Sequence, residues 1–216
     1  MSFDLKTPYG YIINGRQGSG KSHLIKYLFR ENSLSKNKWD YGVVFCGTAW
    51  EKGSWDFLPE KYVYEEYNEK VLENLMKLQK QNIKSGLNTT AFVVFDDCLD
   101  DEDQFNSVPL KKLSTTLRHF NITLIISTQY CHLIPPRFRA NSDAIFFNIG
   151  SGVRELQSIY EAYGQRFKNY NEFKEFYYAN IADHKFIMYD KETDQYLVYR
   201  CPENIPDFKF KYNKFK

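Results

Sequence analysis

Apolar positions in this chain come mostly in short unbroken runs rather than in strict alternation. "YGYII" (9–13), "GVVFCG" (42–47), "AFVVF" (91–95), "ITLIIS" (122–127) and "AIFFNI" (144–149) are rich in β-branched and aromatic residues. Such runs predict strands buried on both faces. The segments between them have helical spacing. Residues 20–30 place Leu24, Ile25 and Leu28 on one face. Residues 68–86 align Val71, Leu72, Leu75, Met76 and Leu78, then stop at Gly86, a C-cap signal. "VPLKKLSTTLRHF" (108–120) reads as a helix with Pro109 in its first turn. Two more helices are expected at 153–163 and 170–182, then two strands about a polar turn in "KFIMYDKETDQYLVYR". Continuous strands separated by helices predict an α/β fold, a mostly parallel sheet flanked by helices, with a C-terminal β-hairpin. No repeat or linker interrupts the pattern. One domain over 1–216 is expected, with a core at 1–150 and the helices, hairpin and basic tail at 151–216.

Composition narrows the class. Of the 216 residues, 43% are apolar and 18% aromatic, enough for a real core and too many for a disordered chain. No apolar run approaches the ~20 residues of a membrane span, so no membrane partner is expected. The four cysteines form no CxxC pair and read as reduced thiols rather than a zinc site, and the histidines lack metal spacing. Net charge is only +2, and the lysines of the tail "FKFKYNKFK" (Lys209, Lys211, Lys214, Lys216) more than account for it. That tail reads as a solvated or frayed terminus, with contact to nucleic acid as the alternative.

The sharpest chemical signal lies between the first strand and the first helix. Gly15, Gly20, Lys21 and Ser22 in "GRQGSGKS" match G-x-x-x-x-G-K-[ST]. Glycines let backbone N–H groups turn inward around phosphate oxygens, and the helix adds its positive N-terminal end. Residues Gly15, Arg16, Gln17, Gly18, Ser19, Gly20, Lys21, Ser22 and His23 are therefore the expected ATP contacts. Lys21 would reach the β- and γ-phosphates, and the Ser22 hydroxyl would hold Mg²⁺. A second signal is "VVFDDC", two acids ending an apolar strand at the carboxyl edge where α/β proteins bind ligands. Asp96 is the expected metal carboxylate and Asp97 the group that polarises the attacking water. Paired acids favour hydrolysis over transfer to a small acceptor. The acids from Asp100 to Asp103 read as a solvated loop.

A third signal is "LRHFNITLIISTQY". Its strand ends in Ser127, Thr128 and Gln129, and the Gln129 amide is placed to sense the γ-phosphate and the water. Arg118 precedes the strand and so falls at the opposite edge. There it is either a surface arginine or a finger serving a neighbouring subunit. Arg137 and Arg139 are further finger or DNA-contact candidates, with a capped loop as the default. Trp39, Trp50 and Trp55 flank a loop read first as packing, and second as a frame for the base or a subunit contact.

These motifs in this order resemble the FtsK–HerA superfamily of DNA-pumping ATPases, and within it the poxvirus-type genome-packaging ATPases of large DNA viruses. The resemblance covers roughly residues 9 to 149. It implies a P-loop NTPase sheet of order 5-1-4-3-2, a ring of identical subunits (a pentamer or hexamer) and double-stranded DNA as cargo. It further implies capsid vertex proteins as partners, and a location in the host cytoplasm at viral factories and in the virion. It strengthens Arg118 as trans finger and Gln129 as sensor. Asp97 departs from the Glu frequent at its position in the superfamily. A P-loop nucleoside or nucleotide kinase and a nucleotide-gated assembly factor without turnover remain the alternatives.

Overall fold

A computed structural model describes residues 5–34, 38–48, 53–99, 102–150, 152–182 and 184–212. Eight strands form one sheet in the order β3-β2-β4-β5-β1-β6-β7-β8. They are β1 (Gly10–Gly15), β2 (Tyr41–Phe45), β3 (Val63–Tyr64), β4 (Ala91–Asp96), β5 (Ile122–Thr128), β6 (Ala144–Asn148), β7 (Lys185–Asp190) and β8 (Gln195–Arg200). The strands β2, β4, β5, β1 and β6 run parallel. Counted among themselves in chain order they read 5-1-4-3-2 from the β6 side, as the resemblance implied. The expected hairpin is β7–β8, and it does not stand apart: β7 pairs antiparallel with β6 and extends the sheet.

The unbroken apolar runs make sense in this setting, because each central strand is covered on both sides. Every residue of β4 from Ala91 to Phe95 is fully buried. Alternate residues feed opposite cores. Val93, Phe95, Leu124 and Ile126 face helices α2 (Glu69–Lys84), α4 (Val108–Thr116), α6 (Val153–Tyr163) and α7 (Tyr170–Asn180). Phe92, Val94, Ile125 and Phe146 face α1 (Lys21–Leu34) and the C-terminal segment. Helix boundaries follow local chemistry. The Asn68 side chain accepts from the Val71 N–H at the start of α2, and the Asn169 side chain accepts from the Glu172 N–H at the start of α7. The helix expected over 108–120 changes to a 3₁₀ turn at Leu117–Phe120 and ends on Asn121 at φ 53°. The "IPPRFR" loop folds further than expected, into the short helix α5 (Pro136–Asn141). The remaining short helix is α3 (Glu102–Asn106).

The tail corrects the frayed reading. Phe208 and Phe210 are buried while Lys209 and Lys211 are exposed, the period-2 signature of an extended segment lying on a core. Phe208 stacks on Phe57 with centroids 4.5 Å apart, Phe210 meets Phe92 edge-on, and the Phe210 N–H donates to the Phe57 carbonyl at 2.8 Å. Lys214 and Lys216 lie outside the described residues, as do Trp50, Asp100 and Asp101. Trp39 and Trp55 are buried against Phe29, so they pack and do not frame a base.

Asp190, at the end of β7, ties the chain's first described segment to the hairpin turn. It accepts from Lys6 Nζ and Tyr9 Oη at 3.0 Å each and from the Glu192 N–H at 2.9 Å. Burial pushes its carboxyl up, but these bonds outweigh that and hold it below the usual aspartate value. A depressed carboxylate stabilises the fold above its ordinary unfolded value and loses that contribution as pH falls through the folded value. Asp190→Asn should therefore cost roughly 1 kcal/mol at pH 7, the size of a charged hydrogen bond discounted for the half-exposed Lys6. In denaturant melts the deficit should shrink as pH drops below about 4.

Candidate nucleotide site

β1 delivers Gly15 to the carboxyl edge of the sheet, and α1 begins six residues later at Lys21. The intervening loop is tight. The Ser19 N–H donates to the Arg16 carbonyl at 3.1 Å, and the Arg16 N–H donates to the Asn148 carbonyl at the end of β6, also at 3.1 Å. Gly15 has no room for a side chain: a Cβ there would sit 2.4 Å from Ser19 Oγ and 3.0 Å from the Asn148 carbonyl. Gly18 and Gly20 hold φ of 75° and 93°, which only glycine adopts freely. The first turn of α1 then presents its N-terminal N–H groups to the loop.

Lys21, Ser22, Asp96 and Asp97, singled out from the sequence, meet here, with one pairing that sequence spacing does not reveal. Lys21 is buried, and its Nζ donates to the Gly15 carbonyl at 2.9 Å and pairs with Asp97 Oδ2 at 3.0 Å. Ser22 Oγ donates to Asp96 Oδ2 at 2.9 Å. Parallel register sets Asp96 opposite Ser127 and Asn14 opposite Thr128, so three strands end their polar residues at one edge. The two acids diverge because Asp97 takes φ 47°, a left-handed conformation that costs a non-glycine residue about 1 kcal/mol or more. That turn sends one carboxylate to Ser22 and the next to Lys21.

The site holds a concentration of unmet polar atoms. Asn14 Oδ1, Ser19 Oγ, Asp96 Oδ1 and Ser127 Oγ are all buried there without a hydrogen bond. Burial pushes the Asp96 carboxyl above its usual value, and the nearby Ser127 and Ser22 hydroxyls and the Lys21 charge only partly oppose it. A buried carboxylate with a vacant oxygen beside a serine hydroxyl is a hard, oxygen-only donor set, which fits Mg²⁺. Among the described residues no group of three or more His, Cys, Asp or Glu could hold a metal ion. Mg²⁺ needs none, since it is usually held by one or two protein oxygens together with phosphates and waters.

Gln129 follows β5 at the same edge, half-buried, and the Asp97 N–H donates to the Ser127 carbonyl two residues before it. Arg118 is far from this group. Its Nη2 pairs with Asp143 Oδ1 at 2.6 Å, and Asp143 Oδ2 accepts from the Gly10 N–H, the first residue of β1. Arg118 is thus about the length of β1, roughly 17 Å, from Gly15, and its side chain is 64% exposed. Arg137 donates to the Phe105 carbonyl at 2.8 Å, and Arg139 to the Cys131 carbonyl at 3.3 Å, so both are anchored within their own chain. Sequence reasoning passed over Asn14 and Cys46, whose Sγ lies 3.8 Å from Asp96 Oδ2. A lone Asn inside an apolar strand one residue before Gly15 was a usable signal. Cys46 had none, since only strand pairing brings it to Asp96.

No protein-family model matches the chain. It is 27% identical over 209 residues to Uncharacterized protein 088R of Invertebrate iridescent virus 3, covering 92% of this chain and 79% of that protein. It is 29% identical over 184 residues to Uncharacterized protein 075L of Invertebrate iridescent virus 6, covering 84% and 70%. Among solved structures it is similar to B204, the DNA-packaging ATPase from Sulfolobus Turreted Icosahedral Virus, with 20% identity and a TM-score of 0.67 over 92% of this chain and all of that one. It is also similar to part of the cytoplasmic domain of the Thermomonospora curvata Type VII secretion ATPase EccC, with 12% identity and a TM-score of 0.61 over 92% of this chain and 26% of that one. Among the described residues no helix is long and apolar enough to cross a membrane. The fold is that of a P-loop NTPase, shared with a viral genome-packaging enzyme, and the relatives by sequence are viral proteins.

Proposed function

We propose that this chain is an ATP-hydrolysing motor subunit of the FtsK–HerA type, with the poxvirus-type packaging ATPases as its kin, that drives double-stranded DNA into a viral capsid. One observation carries the reading: Lys21, Ser22, Asp96 and Asp97 converge on a loop shaped for phosphates. The viral relatives and the likeness to a DNA-packaging ATPase support the cargo. In this reading the whole chain works as one unit in a ring of five or six copies seated at a capsid vertex, within host-cell viral factories and the virion.

The mechanism follows from what each group holds before nucleotide arrives. Lys21 is neutralised by Asp97 at 3.0 Å. A triphosphate entering the loop competes for the same ammonium, and its greater charge draws Lys21 onto the β- and γ-phosphates. That exchange frees Asp97 to accept a proton from the attacking water, so base activation is tied to occupancy. Ser22 and Asp96 would hold Mg²⁺, which would supply positive charge to the phosphates. Gln129 orients water and phosphate, and the neighbour's Arg118 leaves Asp143 to stabilise charge in the transition state. The second acid weighs against a kinase, whose acceptor brings its own hydroxyl.

The test is steady-state phosphate release by purified protein with and without double-stranded DNA, beside native mass measurement. Turnover that rises several-fold with DNA in a ring-sized assembly is expected. A monomer that ignores DNA and, when nucleosides are added, converts ATP to ADP without releasing inorganic phosphate would be a kinase. Nucleotide binding without turnover would leave an assembly factor.

A further inference from the structure

We propose that the adenosine half of the bound triphosphate occupies a cleft of about 420 Å³ beside the loop, built jointly by α1 and the two ends of the β7–β8 hairpin. The cleft is lined by Gly20, His23, His184, Arg200, Cys201, Pro202 and Glu203. The inference rests on reading Gly15–Ser22 as the triphosphate loop. It adds which residues take the nucleoside.

Topology brings these residues together. β6 runs parallel to β1 and β7 antiparallel to β6, so β7 begins at the edge where β1 delivers the loop. β8 reverses again and ends at that edge. His184, just before β7, and Arg200 to Pro202, at the end of β8, therefore flank the start of α1. The contacts are direct. His23 Nε2 donates to the Pro202 carbonyl at 2.7 Å, and His184 Nδ1 lies 3.3 Å from the point where a Cβ on Gly20 would be. His184 holds φ 58°, a left-handed conformation uncommon outside glycine, asparagine, aspartate and histidine.

Three properties fit a nucleoside. The cleft shares Gly20 with the phosphate loop, so one ligand can fill both without leaving the surface. Cavities of about 290 and 610 Å³ on the α2 side of the sheet include no residue of the loop. The size falls in the range of about 300–1,000 Å³ usual for small-molecule sites. Besides His23, which is engaged with Pro202, the lining offers the His184 imidazole and the Arg200 guanidinium, two flat groups on which a base stacks. Among the described residues Arg200 pairs with Glu203 at 3.8 Å, an exposed contact that opens at little cost.

The experiment compares Mg²⁺–ATP with Mg²⁺–tripolyphosphate, which fills the loop and has no nucleoside. Titration calorimetry on wild type, His184→Asn (Asn tolerates the left-handed backbone) and Arg200→Ala should show ATP affinity falling about tenfold in each variant. Tripolyphosphate affinity should stay within about twofold of wild type, which also reports an intact fold. Equal losses for both ligands, or no loss for ATP, overturn the cleft. Wild type that binds tripolyphosphate as tightly as ATP overturns it too, while leaving the loop reading intact. Wild type that binds neither overturns the loop reading and this inference with it. Photo-crosslinking wild type with 8-azido-ATP needs no variant: adducts on His184 or residues 200–203 are expected, and adducts confined elsewhere reject the cleft.

Discussion

Lys21→Ala should abolish ATP turnover, lowering kcat by at least about 10²–10³-fold, the cost of removing a preorganised charge from a buried site. Phosphate release under saturating ATP checks it. The expected loss is large because the ammonium is buried and already aimed, between the Gly15 carbonyl and Asp97. Lys21→Arg should fail almost as completely, since a planar guanidinium cannot replace a compact ammonium in a gap set by two fixed oxygens. Asp97→Asn should behave differently. It removes the internal competitor for Lys21, so turnover falls by a similar factor while ATP binding is kept or tightened. Turnover near wild type in Lys21→Ala would remove the loop from the chemistry. Weakened ATP binding in Asp97→Asn would sink the exchange between Asp97 and phosphate.

Arg118→Ala should cost about 10³–10⁵-fold in turnover, the range for a finger supplied by a neighbour. Mixing it with Asp97→Asn subunits should restore part of the activity. Each active site would take its base from one subunit and its finger from the next. Random mixing of equal amounts leaves about one interface in four with both groups intact, because head-to-tail contacts pair unlike surfaces. The structure supplies the reason to expect rescue: Arg118 sits at the sheet edge opposite Gly15 and cannot serve its own loop. Misfolding is a poor rival explanation, since an exposed pair with Asp143 is worth only about 0–1 kcal/mol. Mixtures no more active than the separate variants would contradict a trans finger.

The fold was legible because its signals are local and redundant. Unbroken apolar runs can be satisfied only by strands covered on both faces, and β1, β2, β4, β5 and β6 all fall on such runs. The phosphate loop was equally plain, because Gly15, Gly18 and Gly20 are required by backbone geometry that no other residue satisfies as well. The misses share a cause. The two-residue β3 is too short for any periodicity, and α5 hides behind two prolines that read as a loop. The alternating "FKFKY" tail carried its burial pattern openly, but its aromatics gain their meaning from Phe57 and Phe92, far away in sequence.

By itself the sequence determined the strand and helix order, the phosphate loop and the adjacent acids, since each depends on residues close together in the chain. Tertiary structure decided the rest. It bent Asp97 to φ 47° and onto Lys21, set Asp96 against Ser22 and Cys46, and put Arg118 on the far edge. It also carried the hairpin round to close a cleft beside Gly20. Those arrangements depend on strand register and crossover, which bring together residues as far apart as His23 and Pro202, 179 positions, and no local pattern encodes such pairings.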